Sequence, residues 1–377
     1  MAKKKKETTK KQDSYPKIAD IRLEQLKYIM EDHKVDALVV TYLPNIRYLT
    51  NFSGSNATLF ITPDEIHFVT DDRYEEQVKT ELYPLPNLQE PSITRDPFSL
   101  IAEKKILPDV ASMAFEADKM TYDDAVKIRN QIRPVKFKPA PNMVEPFTVP
   151  KADEELANIK EACRIAEATY EKILEFVKPG VTEKELALEI TYQSRLLGSE
   201  GDPFDIIVTS GERGALVHGQ PSDRALKKGD IILFDFGCKV NGFGSDISRT
   251  IALGKATKEQ KANYDLLYKA KEAAIEFVRP AMNAKNVDAV ARKMIEDAGY
   301  GENFQHSLGH GIGLVAHEHP IITFRLESEM IPENSVLAIE PGIYLPDKYG
   351  MRIEDNILVT RSGGEHLTNA PKKLPII

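Results

Sequence analysis

The sequence predicts an α/β chain in two parts: a small mixed α/β domain, then a larger α+β domain that carries the chemistry. Three observations support this. Strand-like and helix-like stretches alternate through residues 16–140. Prolines 139, 141, 146 and 150 crowd the segment 137–150. Beyond it, long amphipathic helical patterns are interleaved with short apolar runs that each hold an acid.

In the first part, Ala19 to His33 reads as an amphipathic helix. DALVVT (36–41), ATLFIT (57–62), EIHFVT (65–70) and MAFEAD (113–118) read as strands. Helical patterns near 72–82 and 121–132 separate them, which predicts a mixed or parallel sheet. The proline-dense FKPAPNMVEPFTVP (137–150) blocks both a helix and a central strand. This gives three segments: a basic tail at 1–15, an amino-terminal domain at 16–145 and a second, larger domain at 146–377.

The second part opens on a helix for which Asp153 is the candidate N-cap, with Leu156, Ile159, Cys163, Ala166, Tyr170, Ile173 and Val177 at spacings of three and four. Pro179-Gly180 stops it. Thr182/Glu185 and Thr257/Gln260 form capping boxes for two more helices, ending near Gly198 and Arg279. Asn286 is the candidate cap of a fourth, which ends at Gly299.

Three apolar runs carry the chemistry. IILFDFG (231–237), VLAIEPG (336–342) and MRIEDNILV (351–359) read as covered strands holding Asp235, Glu340 and Glu354. An ionised carboxylate there costs several kcal/mol unless a positive charge offsets it. One such acid is explained by a salt bridge. Three of them, with Asp246 and the segment HSLGHGIG (306–313), point to metal. The Asn-Gly between Asp235 and Asp246 forms a hairpin turn that brings both acids to one sheet face. A second hairpin spans Glu340 and Glu354, and His310 lies between the two pairs among glycines. Four carboxylates balance two divalent ions, whereas one ion leaves excess negative charge in a dry site. Oxygen-rich ligands with one imidazole suit manganese first, then cobalt, iron or zinc.

Composition narrows the setting. Hydrophobic residues make up 42% and charged residues 29% of the 377, as expected of a globular chain. A net charge of −8 gives no reason to expect nucleic acid. Basic residues cluster only in MAKKKKETTKK, which reads as a solvated, disordered tail. No apolar region follows it to make a secretory signal, and no run is long enough to span a membrane. Two well-separated cysteines, Cys163 and Cys238, fit a reducing compartment, so the expected location is cytoplasmic.

Five segments are similar to the motifs of the pita-bread metallopeptidases, in the branch of aminopeptidase P and prolidase. They are FDIIVTSGERGALVHGQPSD (204–223), GDIILFDFG (229–237), GFGSDISRT (242–250), HSLGHGIGLVAHEHP (306–320) and AIEPGIYLPDKYGMRIEDNILVT (338–360). NIRYLTNFSGS (45–55) resembles the domain that precedes the catalytic one in this branch. The resemblance implies a pita-bread catalytic domain in which Asp235 chelates one metal, Asp246 and Glu354 bridge both, and His310 and Glu340 complete the other. Glu340 is also the implied general base, His218 faces the substrate, His317 donates to the developing oxyanion, and Arg352 orients the bridging acids. Ser248, Phe243 and Val217 stand where threonine, tyrosine and proline are frequent, and none of these changes removes a ligand.

The implied activity is hydrolysis of the bond between an amino-terminal residue and proline by a hydroxide shared between the ions. The alternative is the dipeptide-specific form, for which Arg325 is the candidate reader of the substrate carboxylate. Methionine aminopeptidase shares fold and ligands but lacks so large an amino-terminal domain. A non-catalytic binding relative requires lost ligands, and all five are present. The branch also implies a homodimer, with 51–56 (NFSGSN) as candidate contact.

Overall fold

The computed structural model describes residues 15–377, with side chains from 21 onward. The expected basic tail therefore lies outside the described residues, except Tyr15, which opens the first helix. The chain divides into two compact units, 1–148 and 149–377.

The first unit holds one mixed sheet. Its strands are β1 (Ala37–Val40), β2 (Ala57–Ile61), β3 (Ile66–Thr70), β4 (Ser92–Ile93), β5 (Ser112–Glu116) and β6 (Lys136–Ala140), in the order β4-β3-β2-β1-β5-β6. β1 is antiparallel to β2 and parallel to β5. All four residues of β1 are fully buried, which explains its unbroken apolar run. The longer helices are α1 (Tyr15–His33), α2 (Leu43–Thr50), α3 (Pro97–Ala102) and α4 (Tyr122–Gln131). Against expectation, the proline-dense segment holds one short helical turn, Glu145–Thr148, and β6 overlaps its start. β6 is an edge strand, the position in a sheet that tolerates a residue such as Pro139 with no N–H to give. The patterned stretch at 72–82 yields only a 3-10 turn at 72–74 and a short helix, Val78–Glu81. α2 has no capping side chain, and Glu116 at the end of β5 instead fixes the backbone that leads into it. Its Oε2 accepts from the backbone of Thr41 (2.7 Å) and Tyr42 (2.9 Å).

The second unit is built in two halves. The first half is the sheet β11-β8-β7, formed by β7 (Ile207–Ser210), β8 (Ile231–Phe236) and β11 (Ile247–Ala252). A small ribbon, β9 (Lys239–Val240) with β10 (Phe243–Gly244), joins β8 to β11. It turns on Asn241 and Gly242, at φ 49° and 85°, as the Asn-Gly pair predicts. Helices α5 (Asp153–Leu174) and α6 (Glu183–Leu196) pack on this sheet through Ile165, Ala166, Leu186 and Ile190 against Phe234 and Ile251.

The other half is the sheet β13-β12-β14-β17-β18, with β12 (Gly309–Gly311), β13 (Glu318–Ile322), β14 (Val336–Ile339), β17 (Asp355–Thr360) and β18 (Gly363–His366). The hairpin β15 (Gly342–Leu345) and β16 (Tyr349–Arg352) extends from it. Helices α7 (Lys258–Phe277) and α8 (Ala284–Asp297) cover it with Leu267, Ala274, Ala291 and Ile295.

Two caps differ from expectation. The N-cap of α5 is Ala152, whose N–H donates to Glu155 at 2.8 Å, and Asp153 is the first helical residue. α8 is capped by Asn283, whose Oδ1 accepts from Lys285 N at 2.9 Å, and Asn286 lies inside the helix. Both capping boxes form as read: Thr182 with Glu185, and Thr257 with Gln260. The helices end at Leu174, Leu196, Phe277 and Asp297, each a few residues before its stop signal. Among the described residues, no helix is long and apolar enough to cross a membrane.

Candidate metal centre

The five expected ligands converge between the two halves of the second unit. Asp235 lies on β8 opposite Ser248 on β11, and Asp246, two residues before Ser248, points to the same face. The single run 351–359 is in fact two strands, β16 and β17, and Glu354 sits in the break between them. Glu340 likewise follows β14 instead of lying within it. The ladder explains this. Ile339 pairs with Asp355 in one sheet and Gly342 with Arg352 in the next, so Glu340 and Glu354 face each other where the strand pair leaves one sheet for the other. That junction frees both carboxylates from the alternation of either strand. His310 stands at the centre of β12, opposite Ala338. Its neighbour must be glycine, because a Cβ at Gly309 would lie 1.9 Å from the Ala338 carbonyl oxygen.

The side chains form two triads that share Glu354. The ligand atoms of Asp235, Asp246 and Glu354 lie within 4.8 Å of one another, as do those of His310, Glu340 and Glu354. His310 Nε2 is 3.6 Å from Asp246 and 3.8 Å from Glu340. Its Nδ1 is 3.0 Å from the Gly311 carbonyl, which fixes the proton there and leaves Nε2 as a free donor of electrons.

One oxygen each of Asp235, Asp246 and Glu354 is buried with no hydrogen-bond partner among the described residues. Buried polar atoms are rarely left this way. Burial, reinforced by the neighbouring carboxylates, pushes Asp246 and Glu340 well above the ordinary carboxylate range and Glu354 up to about 8. Burial, with His317 nearby, pushes His310 down to about 3, so its ring is neutral. Unpartnered carboxylate oxygens beside a neutral imidazole are what a hard divalent cation requires, and the donor set fits one. The bound charge would reverse the carboxylate shifts.

Arg352 is the organising cation. It pairs with Asp235 Oδ2, donates to Ser248 Oγ at 2.7 Å and to the Tyr344 hydroxyl at 2.6 Å, and its Nε lies 3.8 Å from Glu340. Asp355 is spoken for elsewhere. Arg249 and Lys271 pair with it, and Thr368 Oγ1 (2.8 Å) and Ala370 N (3.1 Å) donate to it. The ion pair beside Glu354 is therefore Asp355's, and Glu354 itself stays available.

A cavity of about 390 Å³ opens over these groups. His218, His317, His306, Phe204 and Arg325 line it together with the ligands. The His317 ring lies 4.1 Å from that of His310. His306 and Tyr344 were not singled out from the sequence. The His306 Nε2 is 2.9 Å from the Tyr344 hydroxyl, which links the cavity wall to Arg352. A histidine four residues before a ligand histidine, in a glycine-rich segment, was the available signal.

The chain matches the sequence profile of metallopeptidase family M24 over residues 157–361 and that of the creatinase/prolidase N-terminal domain over 22–147. An uncharacterised peptidase of Bacillus subtilis is 34% identical over 361 residues, covering 95% of this chain and 100% of the relative. The Xaa-Pro dipeptidase of Pyrococcus horikoshii is 32% identical, covering 94% and 99%. Among solved structures, the Xaa-Pro dipeptidase from Bacillus anthracis aligns with a TM-score of 0.89 at 35% identity, covering 95% of this chain and 100% of that one. The X-Pro aminopeptidase from Thermotoga maritima aligns with a TM-score of 0.84 at 33% identity, covering 91% and 98%. With this fold, these ligands and these relatives, the chain belongs to metallopeptidase family M24, and it carries the creatinase/prolidase-type domain ahead of its pita-bread catalytic domain.

Proposed function

We propose that this metallopeptidase removes an amino-terminal residue from a following proline, using two divalent ions held by Asp235, Asp246, His310, Glu340 and Glu354. The observation that carries the reading is the trio of buried, unpartnered carboxylate oxygens at the floor of the cavity. Asp246 and Glu354 would serve both ions, Asp235 would complete one site, and His310 with Glu340 would complete the other. Manganese is the first choice of metal, given four carboxylates and one imidazole. When bound, the ions supply a water that ionises near neutral pH and polarise the scissile carbonyl.

The chain's own residues do the rest. Glu340 takes the proton from the attacking water and delivers it to the proline nitrogen as that nitrogen leaves. His317, kept neutral by burial, donates its ring N–H to the carbonyl oxygen as charge builds there. His218 presents its ring to the substrate from the exposed wall. Arg352 holds Asp235 in place and screens it from Glu340. Proline has no N–H to offer a strand-pairing protease. A site that grips the substrate amine and carbonyl instead does not need one.

Arg325 favours the dipeptide form of this activity over the longer-peptide form. It lines the cavity with an exposed guanidinium that lies over the Phe324 ring and whose Nη2 donates to the Gln305 carbonyl at 2.9 Å. Its remaining N–H groups suit a substrate carboxylate. The proposed setting is a cytoplasmic homodimer, supported by two buried, unpaired cysteines and by the family resemblance.

The test is to strip the protein with chelator, restore manganese, cobalt or zinc, and assay an Xaa-Pro dipeptide, an Xaa-Pro-Xaa tripeptide and a methionyl peptide. Cleavage of the dipeptide alone supports the Arg325 reading, and cleavage of the tripeptide as well selects the aminopeptidase form. Inactivity on both proline substrates defeats the proposal.

A further inference from the structure

The two halves of the catalytic unit meet along a seam with strand-like spacing. β11 and the segment 352–356 run antiparallel, and contacts fall at every second residue: Asp246 with Asn356, Ser248 with Glu354, and Thr250 with Arg352. Only the middle position is bridged by backbone, Glu354 N donating to Ser248 O at 3.1 Å. On either side, a side chain stands in for a peptide group. Thr250 Oγ1 donates to Arg352 O at 2.9 Å and accepts from Arg352 N at 3.2 Å. Asn356 does the same at the other end: its Oδ1 accepts from Asp246 N at 2.9 Å and its Nδ2 donates to Asp246 O at 2.8 Å.

Asn356 is fully buried, and its own backbone is committed elsewhere: its N–H donates to Thr368 Oγ1 at 2.9 Å and its carbonyl accepts from Leu367 N at 2.8 Å. Its amide therefore reaches out of one sheet to hold the backbone of a residue that opens a strand of the other. The Cys163 thiol donates to the same Oδ1 at 3.3 Å, which fixes which end of the amide is oxygen. Both main-chain polar groups of Asp246 are satisfied by this one side chain, while its carboxylate Oδ1 is left with no partner. An amide is the side chain that presents a donor and an acceptor side by side, as a peptide does. Aspartate keeps the acceptor and loses the donor, and leucine loses both.

We propose that Asn356 is the positioning residue for the bridging carboxylate of Asp246: it sets the separation and register of the two sheets at the metal centre, so that both ions can be held together. This rests on the two-metal reading of the site, and the test separates the two.

The experiment titrates metal-free protein with Co(II), following heat and the visible absorption of the bound ion, for the wild type, Asn356→Asp and Asn356→Leu. Metal-free melting temperatures are recorded in parallel. The wild type should take up two ions per chain. Asn356→Leu should retain one and bind the second at least about 10-fold more weakly, the usual scale for groups that orient ligands. Asn356→Asp should fall between them, with an altered Co(II) spectrum. A wild type that binds no more than one ion overturns the two-metal reading itself. A wild type that binds two, with variants that also bind two at affinities within about twofold, overturns the role of Asn356, even if the variants melt earlier. If Asn356→Leu does not fold, Asn356→Asp decides by the same criteria.

Discussion

Ser248 and Glu354 are bonded twice across the seam: the Ser248 hydroxyl donates to Glu354 Oε2 at 2.9 Å, and the Glu354 N–H donates to the Ser248 carbonyl at 3.1 Å. Arg352 in turn donates to the same hydroxyl at 2.7 Å. The hydroxyl thus passes orientation from a buried guanidinium to the Glu354 carboxylate. Ser248→Ala should lower metal affinity or turnover by about 10–100-fold with little change in fold, and Ser248→Thr should restore it. Metal titration with steady-state kinetics on an Xaa-Pro dipeptide checks both. An alanine variant with unchanged affinity and kcat removes Ser248 from the machinery.

Glu340 and His317 separate by the parameter they affect. Glu340→Gln should abolish turnover in a protein that still folds, as circular dichroism would show. His317→Ala should reduce kcat by a factor on the order of 10²–10³, the cost of one oxyanion donor, with a smaller change in KM. A loss confined to KM would assign His317 to ground-state binding.

The metal-free protein should have an unusual pH dependence. Glu354 titrates at about 8 when folded, against an ordinary 4.5. Between those values the folded state keeps a proton that the unfolded chain has lost, so stability falls as pH rises through the window. Asp246 and Glu340 act in the same direction. In chelator, Glu354→Gln should therefore gain on the wild type in thermal melts as pH rises from about 4.5 to about 8. Divalent metal should reverse the trend, since a bound cation favours the ionised carboxylates. Parallel melting curves across the range count against the assignment.

Lys151 anchors the segment that carries His317. Its buried ammonium pairs with Glu318, the next residue along, and donates to Val149 O at 2.9 Å. Replacing only one partner strands the other in a low-dielectric site. Lys151→Met should destabilise the fold by about 3–5 kcal/mol. Lys151→Met with Glu318→Leu should recover most of that loss in urea denaturation, and a double variant no better than the single one would show that the pair has other essential partners.

Much of this architecture was legible because the signals were local. Both capping boxes, the Asn-Gly turn and the buried strand β1 follow from a few adjacent residues. The acids were legible because a carboxylate in an apolar run costs too much to be incidental. What escaped was set by distant partners. Glu116 fixes the backbone entering α2 across 70-odd positions, and Asn283 outcompeted Asn286 because the helix starts earlier than its periodicity implies. The break at Glu354 was hidden because residues 349–359 are buried on both sides of it, in both sheets they serve. Asn356 gave no signal at all, because an amide in a strand has meaning only once the opposite sheet is in view.

The junction at Glu340 and Glu354 constrains how this chain can change length. The two acids oppose each other only because equal numbers of residues separate each from the tip of the β15–β16 hairpin, where Leu345 pairs with Tyr349. One residue added between Glu340 and Leu345 would flip the following side chains to the other face and take a ligand out of reach. At the tip itself, residues 346–348, additions leave the pairing untouched. Insertions tolerated in this region should therefore cluster at that tip, which makes it the place to graft a tag or a loop without disturbing the acid cluster.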